Sequence, residues 1–218
     1  YDSYINFVKS ELMNNPEFKN KNLGSVLNSG VKIYTNMDKD AQSTLQDRIN
    51  NGSYYKNSDQ QVGASIVDSK SGSLAAISGG RNYKDIVDRN QATDAHPTGS
   101  SLKPFLAYGP AIENMNWATN HAIKDESSYQ VDGVTFRNYD TKGHGTVKIY
   151  DALRESFNIP ALKTWQDTIQ DAGKDAPKKF AKKVGLDYSS DIGPSEVLGG
   201  SASEFSPTQL ASAFASIA

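Results

Sequence analysis

The sequence predicts an α+β fold in which an antiparallel sheet is flanked by helices and joined by a helix-rich subdomain. Segments 64–68 and 73–78, on either side of Lys70-Ser71-Gly72, predict a β-hairpin within residues 61–78. Helical patterns separated by Gly, Asp and Ser turns cover residues 146–157, 160–169, 177–184 and 207–218. A length of 218 residues suits one large or two small domains.

The N-terminal part is predicted to be a linker or a small docking element. Residues 1–22 carry a short amphipathic segment and then a polar piece rich in Asn and Lys, so residues 1–29 are predicted to be a linker or interdomain segment. Residues 30–35 predict a strand. Asp38 is expected to cap a helix that ends near residue 50, because Asn51-Gly52 follows it.

The middle of the chain alternates between turns and helices. Residues 53–60 predict a turn, and residues 81–99 predict a loop that leads into a helix ending near residue 113. Residues 117–145 form a long polar segment that is predicted to be a loop, and loops of that length are often binding surfaces. Its aromatic residues either contribute to such a surface or anchor the loop, and both interpretations stay open: Tyr129, Phe136 and Tyr139.

Composition excludes several classes of function. A formal charge of -2 and a pI near 5.9 provide no basic surface for nucleic acid. The absence of cysteine excludes disulfides and cysteine-ligated metal, although it identifies no cellular compartment. The sequence contains no run apolar enough to span a membrane and no signal-peptide pattern.

The pattern Ser-x-x-Lys occurs three times, and one occurrence begins a helix. Residues 29–32 lie at a predicted strand, in which neighbouring side chains face opposite sides. Residues 53–56 lie in a polar turn. Residues 100–103 differ, because Gly99 permits a sharp turn before them and Pro104 begins a helix directly after them.

Ser100 and Lys103 are therefore expected to share one face of a helix start. A serine hydroxyl is a weak nucleophile until a base takes its proton, and a lysine is a base only when neutral. Partial burial and the positive end of the helix dipole both lower a lysine pKa, and the free N–H groups there stabilise an oxyanion. The alternative is that Ser100 only caps an ordinary helix and that Lys103 is solvated.

Ser156-Phe157-Asn158 is the single Ser-x-Asn of the sequence. It stands where one helical pattern ends and the next begins near Pro160, a position from which polar side chains project into a cleft. The alternative is a helix C-cap, since Asn tolerates the left-handed conformation that ends helices.

Other polar residues are not assigned to a site. Three histidines are expected to be surface or structural residues: His96, His121 and His144. A Ser-His-Asp triad requires proximity in space, which the nearness of His96 to Ser100 along the chain does not establish. Two acidic pairs are expected to be ordinary helix or loop charges: Asp125 with Glu126, and Asp151 with Glu155.

The two motifs, in this order, resemble the transpeptidase domain of class A (bifunctional) penicillin-binding proteins. The family signature is Ser-x-x-Lys, then Ser-Asp-Asn or a variant, then Lys-Thr-Gly. Further similar segments occupy residues 67–72, 76–81, 89–92, 98–105, 156–160 and 198–207. The resemblance covers most of the chain from about residue 30 and implies that residues 30–218 are the N-terminal part of a penicillin-recognising serine transferase domain.

The resemblance implies a peptidoglycan D,D-transpeptidase that cross-links stem peptides through a serine acyl-enzyme. Its catalytic residues would be Ser100 as nucleophile, Lys103 as its base, Ser156 as proton relay and Asn158 as a support for Lys103 and substrate. Substrate-binding residues would be Gly99, Ser101, Tyr139 and Phe157. Implied partners are stem peptides ending in D-Ala-D-Ala, β-lactams and, for the whole protein, other cell-wall synthesis proteins, with no cofactor, metal or nucleic acid.

The family's third motif is missing. No Lys-Thr-Gly or Lys-Ser-Gly follows Ser156, since Lys70-Ser71-Gly72 precedes Ser100. We therefore expect a domain truncated at its C terminus and nearly inactive alone, because in the family that strand supplies an oxyanion N–H. The resemblance also implies an upstream membrane anchor and glycosyltransferase domain, with the site on the extracellular face of the cytoplasmic membrane.

Two other functions share this nucleophile. A β-lactamase is disfavoured, because no Glu-x-x-x-Asn pattern follows Ser156 to activate a deacylating water. A non-catalytic β-lactam sensor or cell-wall peptide-binding module stays open, since it would use the same Ser100 and Lys103.

Overall fold

The computed structural model describes residues 1–53, 55–57, 59–84, 89–201 and 203–218. The chain divides into two units: Tyr1–Ala95 with Ser206–Ala218, and His96–Phe205. The turn predicted over 53–60 and the loop predicted over 81–99 each fall partly outside the described residues. Within the described part of the chain, no helix has the length and apolarity needed to cross a bilayer.

The first unit is built on the predicted hairpin. Strands β1 (Ala64–Val67) and β2 (Leu74–Ser78) pair antiparallel, with Ala64 opposite Ser78, which confirms the hairpin. Helices α1 (Asp2–Asn14) and α3 (Lys39–Asn51) contact β2, and α9 (Pro207–Ala215) contacts β1. A short helix, α2 (Leu23–Asn28), lies between α1 and α3 in the chain.

Helices α1 and α3 contribute both apolar and polar contacts to β2. Tyr4 of α1 packs with Ile77 and Ala92 in a small core and donates a hydrogen bond to the Leu74 carbonyl at 2.7 Å. Gln42 of α3 is buried, and its amide exchanges two 2.9 Å hydrogen bonds with the Ile77 backbone. The Gln42 side chain therefore satisfies backbone groups that a neighbouring strand would otherwise pair.

The second unit is mainly helical. A 3₁₀ turn (Gly99–Leu102) and a π-helical stretch (Pro104–Tyr108) lead into α4 (Gly109–Met115). The later helices are α5 (Ile149–Arg154), α6 (Asn158–Ala172), α7 (Ala176–Lys183) and α8 (Pro194–Val197). Antiparallel strand pairs join β3 (His96–Pro97) to β8 (Glu204–Phe205), β4 (Ala122–Asp125) to β7 (Gly145–Lys148), and β5 (Tyr129–Val131) to β6 (Val134–Phe136).

Most predicted helices are confirmed, but three sequence predictions are wrong in part. Residues 30–35 form no strand, and Tyr34 is 89% exposed. The alternation of apolar and polar residues favours an extended segment, but it does not supply the partner strand that a β-strand needs. The segment 117–145, predicted to be a loop, contains the strands β4, β5 and β6. The helix predicted from residue 146 begins at Ile149, because residues 145–148 pair with β4.

Candidate active site

Ser100 is exposed at the start of the second unit's first helical segment. Gly99, directly before it, has φ +56° and donates its N–H to the Gly199 carbonyl at 3.1 Å. Gly199 has φ +76°, and a Cβ built there would lie 1.8 Å from the Gly99 carbonyl oxygen. The close backbone contact therefore requires glycine at position 199, whereas glycine at position 99 is favoured by its left-handed backbone, since a Cβ there would meet no atom within 4 Å.

The helix predicted at Ser100 is present, but its first residues are not α-helical. Ser100 lies in the 3₁₀ turn, and the Lys103 N–H donates to the Ser100 carbonyl. In a 3₁₀ helix residues three apart lie directly above one another. Ser100 and Lys103 therefore share a face, although for a geometric reason that differs from the predicted α-helix.

Lys103 is fully buried rather than solvated. Its Nζ donates to the Ser156 carbonyl at 2.6 Å, to Ser156 Oγ at 3.1 Å and to Asn158 Oδ1 at 2.7 Å. These partners are neutral, and no carboxylate in the described part of the chain forms an ion pair with the amine. Burial therefore lowers the pKa of Lys103 to about 8, which makes the neutral amine accessible near physiological pH.

The junction between α5 and α6 presents Ser156 to Lys103. Ser156 has φ +56°, its N–H donates to the Leu153 carbonyl, and the Phe157 N–H donates to the Ala152 carbonyl. This is the hydrogen-bond pattern of a Schellman motif, so the left-handed residue that ends α5 is Ser156. Asn158 instead begins α6, so the C-cap of α5 expected at Asn158 is formed two residues earlier, by Ser156.

The predicted substrate-binding residues lie in different surroundings. Ser101 donates its hydroxyl to the Thr98 carbonyl at 2.8 Å. The buried Phe157 ring stacks on His144 at 4.1 Å, and the ring of Tyr139, which is 70% exposed, lies 6.5 Å away. Two of the loop aromatics form a cross-strand pair in the β5–β6 hairpin: Tyr129 and Phe136. Tyr129 also donates a hydrogen bond to Gln166 of α6, as an anchoring residue does.

Three polar residues near Asn158 were not identified from the sequence. Asp125 was expected to be an ordinary charge and His144 a surface or structural residue. The Asp125 carboxylate is instead buried and hydrogen-bonded to the His144 ring at 2.6 Å, which agrees with a structural role for His144. This hydrogen bond raises the pKa of His144. Asn138 bonds to Asp125 and to α6. No periodic sequence pattern identifies these residues, because their hydrogen-bond partners are 13 to 20 positions away in the chain.

The other histidines have structural surroundings. His96 is exposed in β3 opposite Phe205, and the His121 ring stacks on Trp117 at 3.6 Å.

A comparison with protein-family models agrees with the resemblance drawn from the sequence motifs. The model described as "Penicillin binding protein transpeptidase domain" matches residues 62–218. The chain belongs to this family. The resemblance to class A penicillin-binding proteins and the α+β fold class are thereby confirmed.

Curated relatives and solved structures agree with the family. Penicillin-binding protein 1A/1B of Bacillus subtilis is 38% identical over 164 residues, which cover 74% of this chain and 17% of the relative. Penicillin-binding protein 1F of the same organism is 34% identical over 98% of this chain and 29% of its own length. PonA1 of Mycobacterium tuberculosis superposes with a TM-score of 0.77 at 22% identity, covering 96% of this chain and 55% of that one. The chain therefore spans less than a third of these curated relatives.

Proposed function

We propose that the chain is a D,D-transpeptidase domain that cross-links peptidoglycan stem peptides through an acyl-enzyme on Ser100. The observation that carries this proposal is the buried Lys103 amine. It is hydrogen-bonded to Ser156 and Asn158, has a pKa of about 8, and lies one 3₁₀ turn from an exposed serine. An ordinary capped helix requires neither the burial nor these two partners.

The proposed reaction moves one proton at each step. Ser100 Oγ attacks the carbonyl carbon between the two terminal D-alanines while Lys103 Nζ accepts the hydroxyl proton. The N–H groups at the helix start stabilise the resulting oxyanion. Ser156 Oγ passes a proton to the departing D-alanine nitrogen and receives the proton held by Lys103 Nζ, as the C–N bond breaks and the acyl-enzyme forms. An amine of a neighbouring stem peptide then attacks the ester carbonyl and gives up a proton to Lys103 Nζ, which returns it to Ser100 Oγ as the ester C–O bond breaks.

The β-lactam ring resembles the D-Ala-D-Ala amide and should acylate the same serine. A solved structure of PonA1 is a complex with penicillin V. For the whole natural protein we propose an upstream membrane anchor and glycosyltransferase domain, a site on the extracellular face of the cytoplasmic membrane, and other cell-wall synthesis proteins as partners. The division into a 1–29 interdomain segment and a 30–218 transpeptidase part remains a prediction.

Penicillin is expected to add covalently to Ser100 and to no other residue. The whole natural protein is incubated with penicillin, its intact mass is measured, and peptide mapping locates the adduct. Ser100→Ala should abolish the adduct, whereas Ser189→Ala, which alters an exposed serine, should retain it. An adduct that survives in Ser100→Ala would overturn the proposal. A D-Ala-D-Ala donor with an amine acceptor then separates a transpeptidase from a sensor, which forms adduct but no cross-linked product.

Acylation is expected to accelerate as pH rises through about 8, because Lys103 must be neutral to accept the Ser100 proton. Below that pH the rate should fall by about tenfold per pH unit as the amine becomes charged, and above it the rate should level off. The acylation rate constant is measured at constant ionic strength across this range, with thermal unfolding as a control for loss of fold. A rate independent of pH would contradict the role of Lys103 as base.

A further inference from the structure

Helix α6 has no capping side chain at its own N-terminus. Its N-cap position is occupied by Phe157, whose side chain has no acceptor. The Asn138 side chain acts in its place, because Asn138 Oδ1 accepts hydrogen bonds from the Asn158 N–H at 2.8 Å and the Ile159 N–H at 3.2 Å. A residue twenty positions earlier in the chain thus caps the helix that carries Asn158.

The orientation of the Asn138 amide is fixed by its neighbours. Nδ2 donates to both carboxylate oxygens of Asp125 at 2.9 Å and to the Lys142 carbonyl at 2.8 Å. The oxygen side of the amide faces only donors and the nitrogen side faces only acceptors, so a flipped amide would lose every contact. Asp125 is held in turn by the His144 backbone N–H at 3.1 Å and by its ring at 2.6 Å.

Two adjacent residues together hold Asn158. Asn138 binds its backbone N–H, and the Arg137 carbonyl accepts from Asn158 Nδ2 at 2.9 Å. With the backbone and the amide nitrogen both engaged, Asn158 Oδ1 is left directed at Lys103 Nζ, 2.7 Å away. Asn138 itself is 3% exposed and touches neither Ser100 nor Lys103 in the hydrogen bonds of the described residues.

The geometry points to Asn138 as a positioning residue for the acyl-transfer step: held by Asp125, it fixes Asn158 so that Oδ1 engages the Lys103 amine. This inference rests on the proposed function, since it concerns the same serine and lysine. Asn138 acts through Asn158, and a displacement of about 1 Å at a reacting group can cost about 100-fold in rate.

The test separates the acylation rate constant from the amount of folded protein. In the whole natural protein, Asn138→Ala should lower the first-order acylation rate constant for penicillin by about 10- to 100-fold, while the affinity of the initial noncovalent complex stays near its original value. A purely structural role would reduce the fraction of protein that reacts, but not the rate constant of the fraction that does. Asn114→Ala is the control, because among the described residues the amide of Asn114, which is exposed, donates to the Pro110 carbonyl within α4.

Two isosteric variants test the same role if the alanine variant fails to fold. Asn138→Asp places a second carboxylate against Asp125 and should slow acylation. Combining it with Asp125→Asn restores one donor and one acceptor to the pair, while the carboxylate still faces the Lys142 carbonyl, so the double variant should recover part of the lost rate.

The outcomes distinguish this inference from the proposed function. Failure of the unaltered protein to form an adduct at Ser100 would overturn both. An adduct formed at the unaltered rate constant in Asn138→Ala, or a double variant no faster than Asn138→Asp, would overturn the positioning role and leave the transpeptidase proposal standing.

Discussion

Replacing Lys103 with methionine is expected to lower the rate constant for acylation of Ser100 by penicillin by about 10²- to 10⁴-fold, the range associated with losing a general base. Methionine fills a similar volume without an amine, so the hydroxyl of Ser100 would have no neighbouring group to accept its proton. The measurement is the rate of covalent adduct formation by intact mass at pH values above the Lys103 pKa of about 8, where the unaltered enzyme should be fastest.

Two further variants test whether the lost function is proton acceptance. Lys103→Arg keeps a positive charge but cannot become neutral, so it should be as slow as Lys103→Met. Lys179→Met alters an exposed lysine of the same unit and should react at the original rate. Thermal unfolding midpoints of all three proteins show whether the fold persists. Acylation at the original rate in Lys103→Met would rule out Lys103 as the base.

Gly199→Ala is expected to destabilise the protein by about 2–4 kcal/mol and to slow acylation of Ser100. The added Cβ would lie 1.8 Å from the Gly99 carbonyl oxygen, so the two segments must separate, and the residue would also retain φ +76°. Overpacking contributes about 1–3 kcal/mol and the left-handed backbone about 1 kcal/mol. Because Gly99 directly precedes Ser100, the shift should also move the nucleophile. Chemical denaturation and the acylation rate constant are measured together.

Gly185→Ala supplies the matched control for this variant. Gly185 has φ +84°, close to that of Gly199, but a Cβ there meets no atom within 4 Å. It should therefore show only the backbone strain of about 1 kcal/mol and no change in acylation. Equal losses of stability in the two variants would show that the contact between Gly99 and Gly199 does not matter.

Local sequence features account for much of the fold. Asp38 caps α3 as predicted, accepting hydrogen bonds from the Asp40 and Ala41 N–H groups at 2.9 Å, because capping depends on residues within one turn. The hairpin around Lys70-Ser71-Gly72 is likewise confirmed. The β5–β6 hairpin was missed although Tyr129-Gln130-Val131 and Val134-Thr135-Phe136 alternate around Asp132-Gly133, a pattern that favours a two-residue hairpin. In β4 burial alternates, but one of the two buried residues is Asp125, so the hydrophobic pattern does not show it.

The sequence by itself determined the family, the helix start at Ser100 and the helix junction at Ser156, since motif order and turn residues are local properties of the chain. Only the tertiary structure decided that the Lys103 amine lies fully buried against residues 53 and 55 positions away, and that Asp125 and Asn138 lie behind them. The physical reason is that a lysine pKa depends on burial, and the orientation of a side chain depends on hydrogen bonds between distant segments. Neither burial nor such hydrogen bonds can be inferred from the spacing of the residues.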